Sequence, residues 1–172
     1  MDIETGNCIK TLNGHSYNVA KIIKLNETTI LSGNRDYTLK RWDIKTGTCL
    51  NTFTGHDGDF FCIFKLDKEG RTFATWSTDK YIYIWNTETG ECINSLSTCH
   101  TGEIICLVKL DGEGKIIASG SYDNTFKIFN VETKECLKTY DNNDGFIDCL
   151  LKVNDNIILS GSSDSTIRLW NI

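Results

Sequence analysis

Ile30-Leu31-Ser32-Gly33-Asn34-Arg35-Asp36-Tyr37-Thr38-Leu39-Lys40-Arg41-Trp42-Asp43 returns three times further along the chain. The copies are Phe73-Ala74-Thr75-Trp76-Ser77-Thr78-Asp79 running on to Trp85-Asn86, Ile117-Ala118-Ser119-Gly120-Ser121-Tyr122-Asp123 running on to Phe129-Asn130, and Ile158-Leu159-Ser160-Gly161-Ser162-Ser163-Asp164 running on to Trp170-Asn171. Ahead of the four copies stand Gly14-His15, Gly55-His56, Cys99-His100 and Asn142-Asn143. Cysteines keep the same beat: Cys8, Cys49, Cys92 and Cys136 lie 41, 43 and 44 residues apart. Self-similarity at such a period means one supersecondary unit used repeatedly, each copy burying its apolar surface on the next.

Each unit reads as short strands. In the first, apolar residues alternate over Val19–Leu25, Thr29–Ser32, Thr38–Trp42 and Thr48–Phe53, separated by Asn26-Glu27, Asn34-Arg35-Asp36 and Lys45-Thr46-Gly47. Alternation bounded by turn formers is the mark of a half-buried strand. Gly47 and Gly90 suit a turn position of positive φ, which Lys134 occupies in the third copy, so that hairpin is expected to be strained or differently shaped. No run keeps a 3.6-residue apolar period long enough for a substantial helix. The expected class is all-β, with four-stranded antiparallel units.

Four registered Gly-His to Trp-Asp units resemble the WD40 family of β-propellers over essentially the whole chain. The resemblance implies one domain of four blades, with repeats near 14–54, 55–97, 98–140 and 141–172. Residues 2–12 match 43–53 and so form an extra outer strand, while the last copy stops at its third strand. Rings of this family close by such complementary ends. Four is the small end of the propeller range. Three arrangements fit: a four-blade ring, an open arc belonging to a larger propeller, or a homodimer that exchanges outer strands into eight blades.

Every copy sets His, a hydroxyl, Asp and an indole in fixed order: His15, Ser32, Asp36 and Trp42; His56, Thr75, Asp79 and Trp85; His100, Ser119 and Asp123; then Asn143 with Ser160, Asp164 and Trp170. A His-Ser-Asp set invites a hydrolase reading. Repetition in register argues instead for a buried hydrogen-bonded network within each blade, as the resemblance implies. Phe129 lacks an N–H and Asn143 an imidazole, so blades three and four are expected to be softer. No catalytic residue and no cofactor are assigned.

The net charge is −5, without the basic concentration that nucleic-acid binding requires. No stretch reaches the roughly 18–20 apolar residues of a membrane span. The N-terminal residues lack the basic and apolar regions of a secretory signal. The eight cysteines include no CxxC pair, so no thiolate metal site is expected, and they read as small core residues in a reducing intracellular setting, cytoplasmic or nuclear.

The resulting expectation is a scaffold or adaptor for a protein or peptide. The resemblance places contacts just before the turn aspartate, at Arg35, Thr78, Tyr122 and Ser163. It places others at the start of the inner strand, at Ala20, Phe61, Ile105 and Asp148, with Asn18, Asp59, Glu103 and Phe146 beside them. Acidic neighbours favour a partner carrying Lys or Arg. A substrate receptor of a ubiquitin ligase and a purely structural fragment of a larger ring are the alternatives. A phosphate reader would want several converging arginines, and Arg35 stands alone.

Overall fold

The computed structural model describes residues 7–58, 60–141 and 144–172, the side chains of Phe60 and Phe61 excepted. Four antiparallel sheets follow one another. The first holds β1 (Val19–Lys24), β2 (Thr29–Asn34), β3 (Leu39–Asp43) and β4 (Cys49–Phe53). The second holds β5 (Phe60–Lys65), β6 (Thr72–Ser77), β7 (Tyr81–Asn86) and β8 (Cys92–Ser97). The third holds β9 (Ile104–Lys109), β10 (Ile116–Ser121), β11 (Phe126–Asn130) and β12 (Cys136–Tyr140). The fourth has three strands, β13 (Ile147–Lys152), β14 (Ile157–Ser162) and β15 (Ile167–Asn171). Each sheet is a meander in chain order, and the expected strands lie within two residues of the observed ones. Among the described residues there is no helix.

The core lies between sheets rather than inside them. Ile23, Leu31 and Arg41 sit side by side across blade 1, and Leu39 faces Phe53 on the same surface. That surface closes on Ile63, Phe73 and Trp85 of blade 2. The same contact recurs from blade 2 to Ile104, Leu107 and Phe129 of blade 3, and from blade 3 to Ile147 and Ile158 of blade 4. Each fully buried side chain of this size stabilises by about 1.5–3 kcal/mol. A lysine at the end of the inner strand in blades 2, 3 and 4 ties the blades further. Lys65 Nζ donates to Leu25 O at 2.6 Å, Lys109 Nζ to Leu66 O at 2.9 Å, and Lys152 Nζ to Leu110 O at 2.5 Å.

The blades form an open arc. Inner strands pack from β1 to β5, β5 to β9 and β9 to β13, and among the described residues no comparable packing joins blade 4 back to blade 1. A closed four-blade ring is thereby excluded. Residues 7–12 form no strand, yet they are shaped as an outer one. Cys8 Sγ donates to Lys10 O, two residues on, as Cys49, Cys92 and Cys136 do to Asn51, Asn94 and Lys138. Lys10 Nζ donates to Lys45 O, in the place where Asn51 Nδ2 donates to Glu88 O of the next blade. The segment thus flanks blade 1 as the outer strand of a preceding blade would. Residues 2–6 of the expected strand lie outside the described residues.

The hairpin between third and fourth strands is the same in all complete blades. Gly47 and Gly90 have φ of 84° and 80°, and Lys134 takes 63° in the left-handed region. Thr46 N, Thr89 N and Thr133 N all donate to the side-chain oxygen of Asp43, Asn86 or Asn130. The third hairpin is therefore strained but not differently shaped, because the Asx turn fixes it regardless of the residue that follows.

Candidate functional site

The repeated polar residues come together inside each blade. Trp42, Trp85 and Trp170 donate their indole N–H to Ser32, Thr75 and Ser160 at 2.7, 2.7 and 2.8 Å. His15, His56 and His100 join Ser32, Thr75 and Ser119 through Nε2 at 2.7, 2.7 and 2.9 Å. His56 and His100 reach Asp79 and Asp123 through Nδ1 at 2.8 Å. Asp123 Oδ1 also accepts from the backbone and hydroxyl of Thr125, which fixes the turn. All four hydroxyl residues are buried. They cross-link strands and present no accessible nucleophile.

Three sets depart from this arrangement. Phe129 fills the indole position, buried against the His100 ring, and supplies no hydrogen bond to Ser119. Asp36 accepts from Ser16 N and Oγ, and stands 3.6 Å from His15 Nδ1. Asp164 is held by Thr166 and by Arg168. Asn142 and Asn143 lie outside the described residues. Burial pushes the His100 imidazole below its ordinary value, outweighing the charge of Asp123. Burial opposes ionisation of Asp123, but hydrogen bonds from Thr125 and His100 prevail and bring it down to about 2.

The expected contact residues fall on one loop face of the arc. Arg35, Tyr122 and Ser163 occupy the tip of the hairpin between second and third strands. Their N–H groups donate to Asn18 O, Glu103 O and Phe146 O of the loop entering the same blade. Thr78 occupies the equivalent tip in blade 2. Arg35, Tyr122 and Ser163 are exposed and Thr78 is half-buried.

The second set sits on β-bulges. The ladder skips one residue in every inner strand: Ala20 between Val19 and Lys21, Phe61 between Phe60 and Cys62, Ile105 between Ile104 and Cys106, and Asp148 between Ile147 and Cys149. A bulge re-aims the unpaired side chain. Ala20 and Asp148 are exposed and Ile105 is half-buried. The side chain of Phe61, and Asp59, lie outside the described residues.

Across the seam between blades 3 and 4 the Tyr122 and Phe146 rings meet edge to face, 4.8 Å between centroids. Sequence reasoning missed the glycines that let the entry loops approach the hairpins. A Cβ on Gly58, Gly102 or Gly145 would lie 2.1–2.6 Å from Thr78, Asp123 or Ser163. Their own spacing of 44 and 43 residues was the available signal. Trp76, buried where Gly33, Gly120 and Gly161 stand in other blades, was also missed.

These features define an arc of propeller blades with a loop face carried by rigid hairpins. The chain belongs to the WD40 family: the model of the WD domain, G-beta repeat, matches residues 6–43, 47–86, 90–130 and 134–171. Among solved structures it is similar to the WD40 β-propeller domain of Doa1, at 26% identity and a TM-score of 0.76, over 95% of this chain and 53% of that one. The chain therefore spans about half of that propeller domain. It is also similar to the computationally designed Ika4 protein, at 28% identity and a TM-score of 0.82, over 97% of this chain and 99% of that one. No curated protein sequence matches it. Among the described residues no helix is long and apolar enough to cross a membrane, and no three His, Cys, Asp or Glu are grouped to hold a metal ion. All eight cysteines are free.

Proposed function

We propose that the chain is a non-catalytic scaffold whose loop face binds a protein or peptide segment carrying Arg or Lys, and whose blade ends take a second copy of the chain. The observation that carries the first part is the exposed Tyr122–Phe146 pair, with Glu103 joined to Tyr122 through the backbone and the exposed Asp148 two residues beyond Phe146. Tyr122 and Phe146 are 46% and 43% exposed, an unusual position for two touching aromatic rings. Aromatic faces attract cations, and nearby carboxylates add to the field. The rings sit on two blades, so a ligand there reads a fixed inter-blade geometry. The burial of the four hydroxyl residues supports the non-catalytic reading.

A hexaarginine peptide, with hexaglutamate as control, tests this by NMR titration. Saturable shifts at Tyr122, Phe146 and Asp148 are expected with the basic peptide only, lost in Tyr122→Ala and weakened by salt. Shifts confined to other blades, or none, overturn the reading.

A further inference from the structure

The two ends of the arc carry the two halves of a contact that the chain already makes three times. Blade 4 presents Leu151, Leu159 and Leu169 side by side, with Ile167 beside them. In repeat register these match Ile23, Leu31, Arg41 and Leu39, the surface by which blade 1 covers blade 2. Leu39 is 1% exposed, whereas Ile167 and Leu169 are 73% and 72% exposed. Blade 1 presents Ile22 and Lys24, matching Ile63 and Lys65, which blade 1 covers in blade 2. Ile22 is 60% exposed, against 2% for Ile63.

The polar groups match as well as the apolar ones. Lys65, Lys109 and Lys152 each donate to a carbonyl of the preceding blade, at Leu25, Leu66 and Leu110. Lys24 holds the same position in blade 1, and there its ammonium pairs with exposed Glu27. Val153 holds the position of the acceptor residues in blade 4, and its side chain is 53% exposed where the three leucines are buried. One end offers the donor and the other the acceptor.

The strand edges repeat the pattern. β15 pairs with β14 alone among the described residues. Residues 8–12 have the outer-strand shape and lie against blade 1, where the outer strand of a preceding blade would be. We infer that a second copy of the chain docks head to tail, its blade 4 on blade 1 of the first, and that the return contact closes two arcs into one ring of eight blades.

Internal registers fix the new pairing. Trp42 faces Cys49, Arg41 faces Asn51, and Leu39 faces Phe53. In blade 3, Phe129 faces Cys136, Ile128 faces Lys138, and Phe126 faces Tyr140. By repeat position, Trp170 then faces Cys8 of the second copy, Leu169 faces Lys10, and Ile167 faces Leu12. Lys24 of one copy reaches Val153 O of the other. No segment has to leave its own blade, because residues 8–12 already flank blade 1. A heterologous contact of this kind closes only when its rotation fits, and two equal arcs satisfy that with a twofold axis. The contact also completes the loop face, placing Ser163 beside Asn18 of the second copy, as Tyr122 is placed beside Phe146.

This inference rests on the part of the proposed reading that gives the blade ends a second copy, and its test leaves the peptide result for the loop face untouched. The test is light scattering on a sizing column. The chain is expected at about 39 kDa, twice 19.4 kDa. Leu169→Asp changes an exposed side chain and is expected at the single-chain mass, with an unchanged circular dichroism spectrum. Leu12→Cys combined with Ile167→Cys is expected to give a disulfide-linked dimer on oxidation, above any background from the eight native thiols of the unsubstituted chain. A single-chain mass for the unsubstituted chain, a dimer that survives Leu169→Asp, or a ladder of higher masses overturns the closed ring.

Discussion

His15 Nδ1 and Asp36 Oδ2 stand 3.6 Å apart, whereas the equivalent atoms of His56–Asp79 and His100–Asp123 are 2.8 Å apart. Asp123 also accepts from the Thr101 backbone, but Asp36 takes a further bond from the Ser16 hydroxyl, and His15 Nδ1 is buried without a hydrogen-bond partner among the described residues. The two arrangements differ in energy. A double-mutant cycle with His100→Ala and Asp123→Ala is expected to give a coupling of about 1–2 kcal/mol. The same cycle on His15 and Asp36 is expected to give less than about 0.5 kcal/mol, read from urea midpoints. Equal couplings would show that the 0.8 Å difference (3.6 less 2.8) has no energetic meaning.

The hydroxyl positions rank in the same way. Ser32 serves both the His15 imidazole and the Trp42 indole, while Ser119 serves His100 alone because Phe129 has no N–H. Each buried group left without a partner costs about 1–3 kcal/mol. Ser32→Ala is therefore expected to destabilise by about 1 kcal/mol more than Ser119→Ala. A reversed order in denaturant unfolding would remove the network as the reason for the repeated hydroxyl.

Stability should fall as the solution is acidified through the histidine range. The folded His100 has a pKa below its ordinary 6.5, and so has His15, burial being the main cause in both. The unfolded chain therefore binds more protons near pH 6, and stability drops as pH falls through that value. Below about pH 4 a second loss begins, because Asp123 titrates at about 2 when folded and higher when unfolded. Urea midpoints at a series of pH values check both steps. His100→Gln, which cannot be protonated in this range, should reduce the first step, and should shrink the second as well because Asp123 loses the imidazole that helps hold it ionised, leaving the part due to Thr125.

Much of this architecture was legible because a repeat writes each local rule four times. The hairpin aspartates, the indole–hydroxyl pairs and the residues that became the bulges Ala20, Ile105 and Asp148 could all be placed by register. The missing indole bond of blade 3 follows from the residue type of Phe129, while Asn143 of blade 4 lies outside the described residues. The misfit of blade 1 was hidden, since the backbone bond of Ser16 to Asp36 recurs at Thr101 and Asp123 and only the added bond from the Ser16 hydroxyl sets this blade apart. Closure was hidden for another reason. The sequence specifies how one blade packs on the next, but the sum of those rotations is a rigid-body property spread over every interface. The lysine series Lys24, Lys65, Lys109 and Lys152 was present in the register, though only the structure shows that it crosses between blades.

Lys134 offers a stabilising change. Its φ of 63° falls where Gly47 and Gly90 stand in the other hairpins. A residue with a Cβ pays about 1–2 kcal/mol there, and a glycine returns part of the gain through its greater freedom when unfolded. Lys134→Gly is expected to raise stability by about 0.5–1 kcal/mol, without a change in the denaturant slope. Lys134→Ala keeps the Cβ and should show no comparable gain, which separates backbone strain from loss of the charge.

The inter-blade lysines supply the sharpest internal control. Lys109 donates to Leu66 O in a half-buried seam, and Lys109→Met would leave that carbonyl unpaired while keeping the apolar stem. A hydrogen bond from a charged donor contributes about 1.5–3 kcal/mol. Lys24 is the same residue in the same register, but its partner is the exposed Glu27. Surface ion pairs of that kind contribute about 0–1 kcal/mol. In the Leu169→Asp background, Lys109→Met is expected to destabilise by about 2 kcal/mol and Lys24→Met by less than about 0.5. In the unsubstituted chain Lys24→Met should instead weaken the two-copy assembly, seen as a dilution-dependent loss of mass. If Lys24→Met destabilises the single chain as much as Lys109→Met, the lysine acts within its own blade and the donor–acceptor match between the ends of the arc is void.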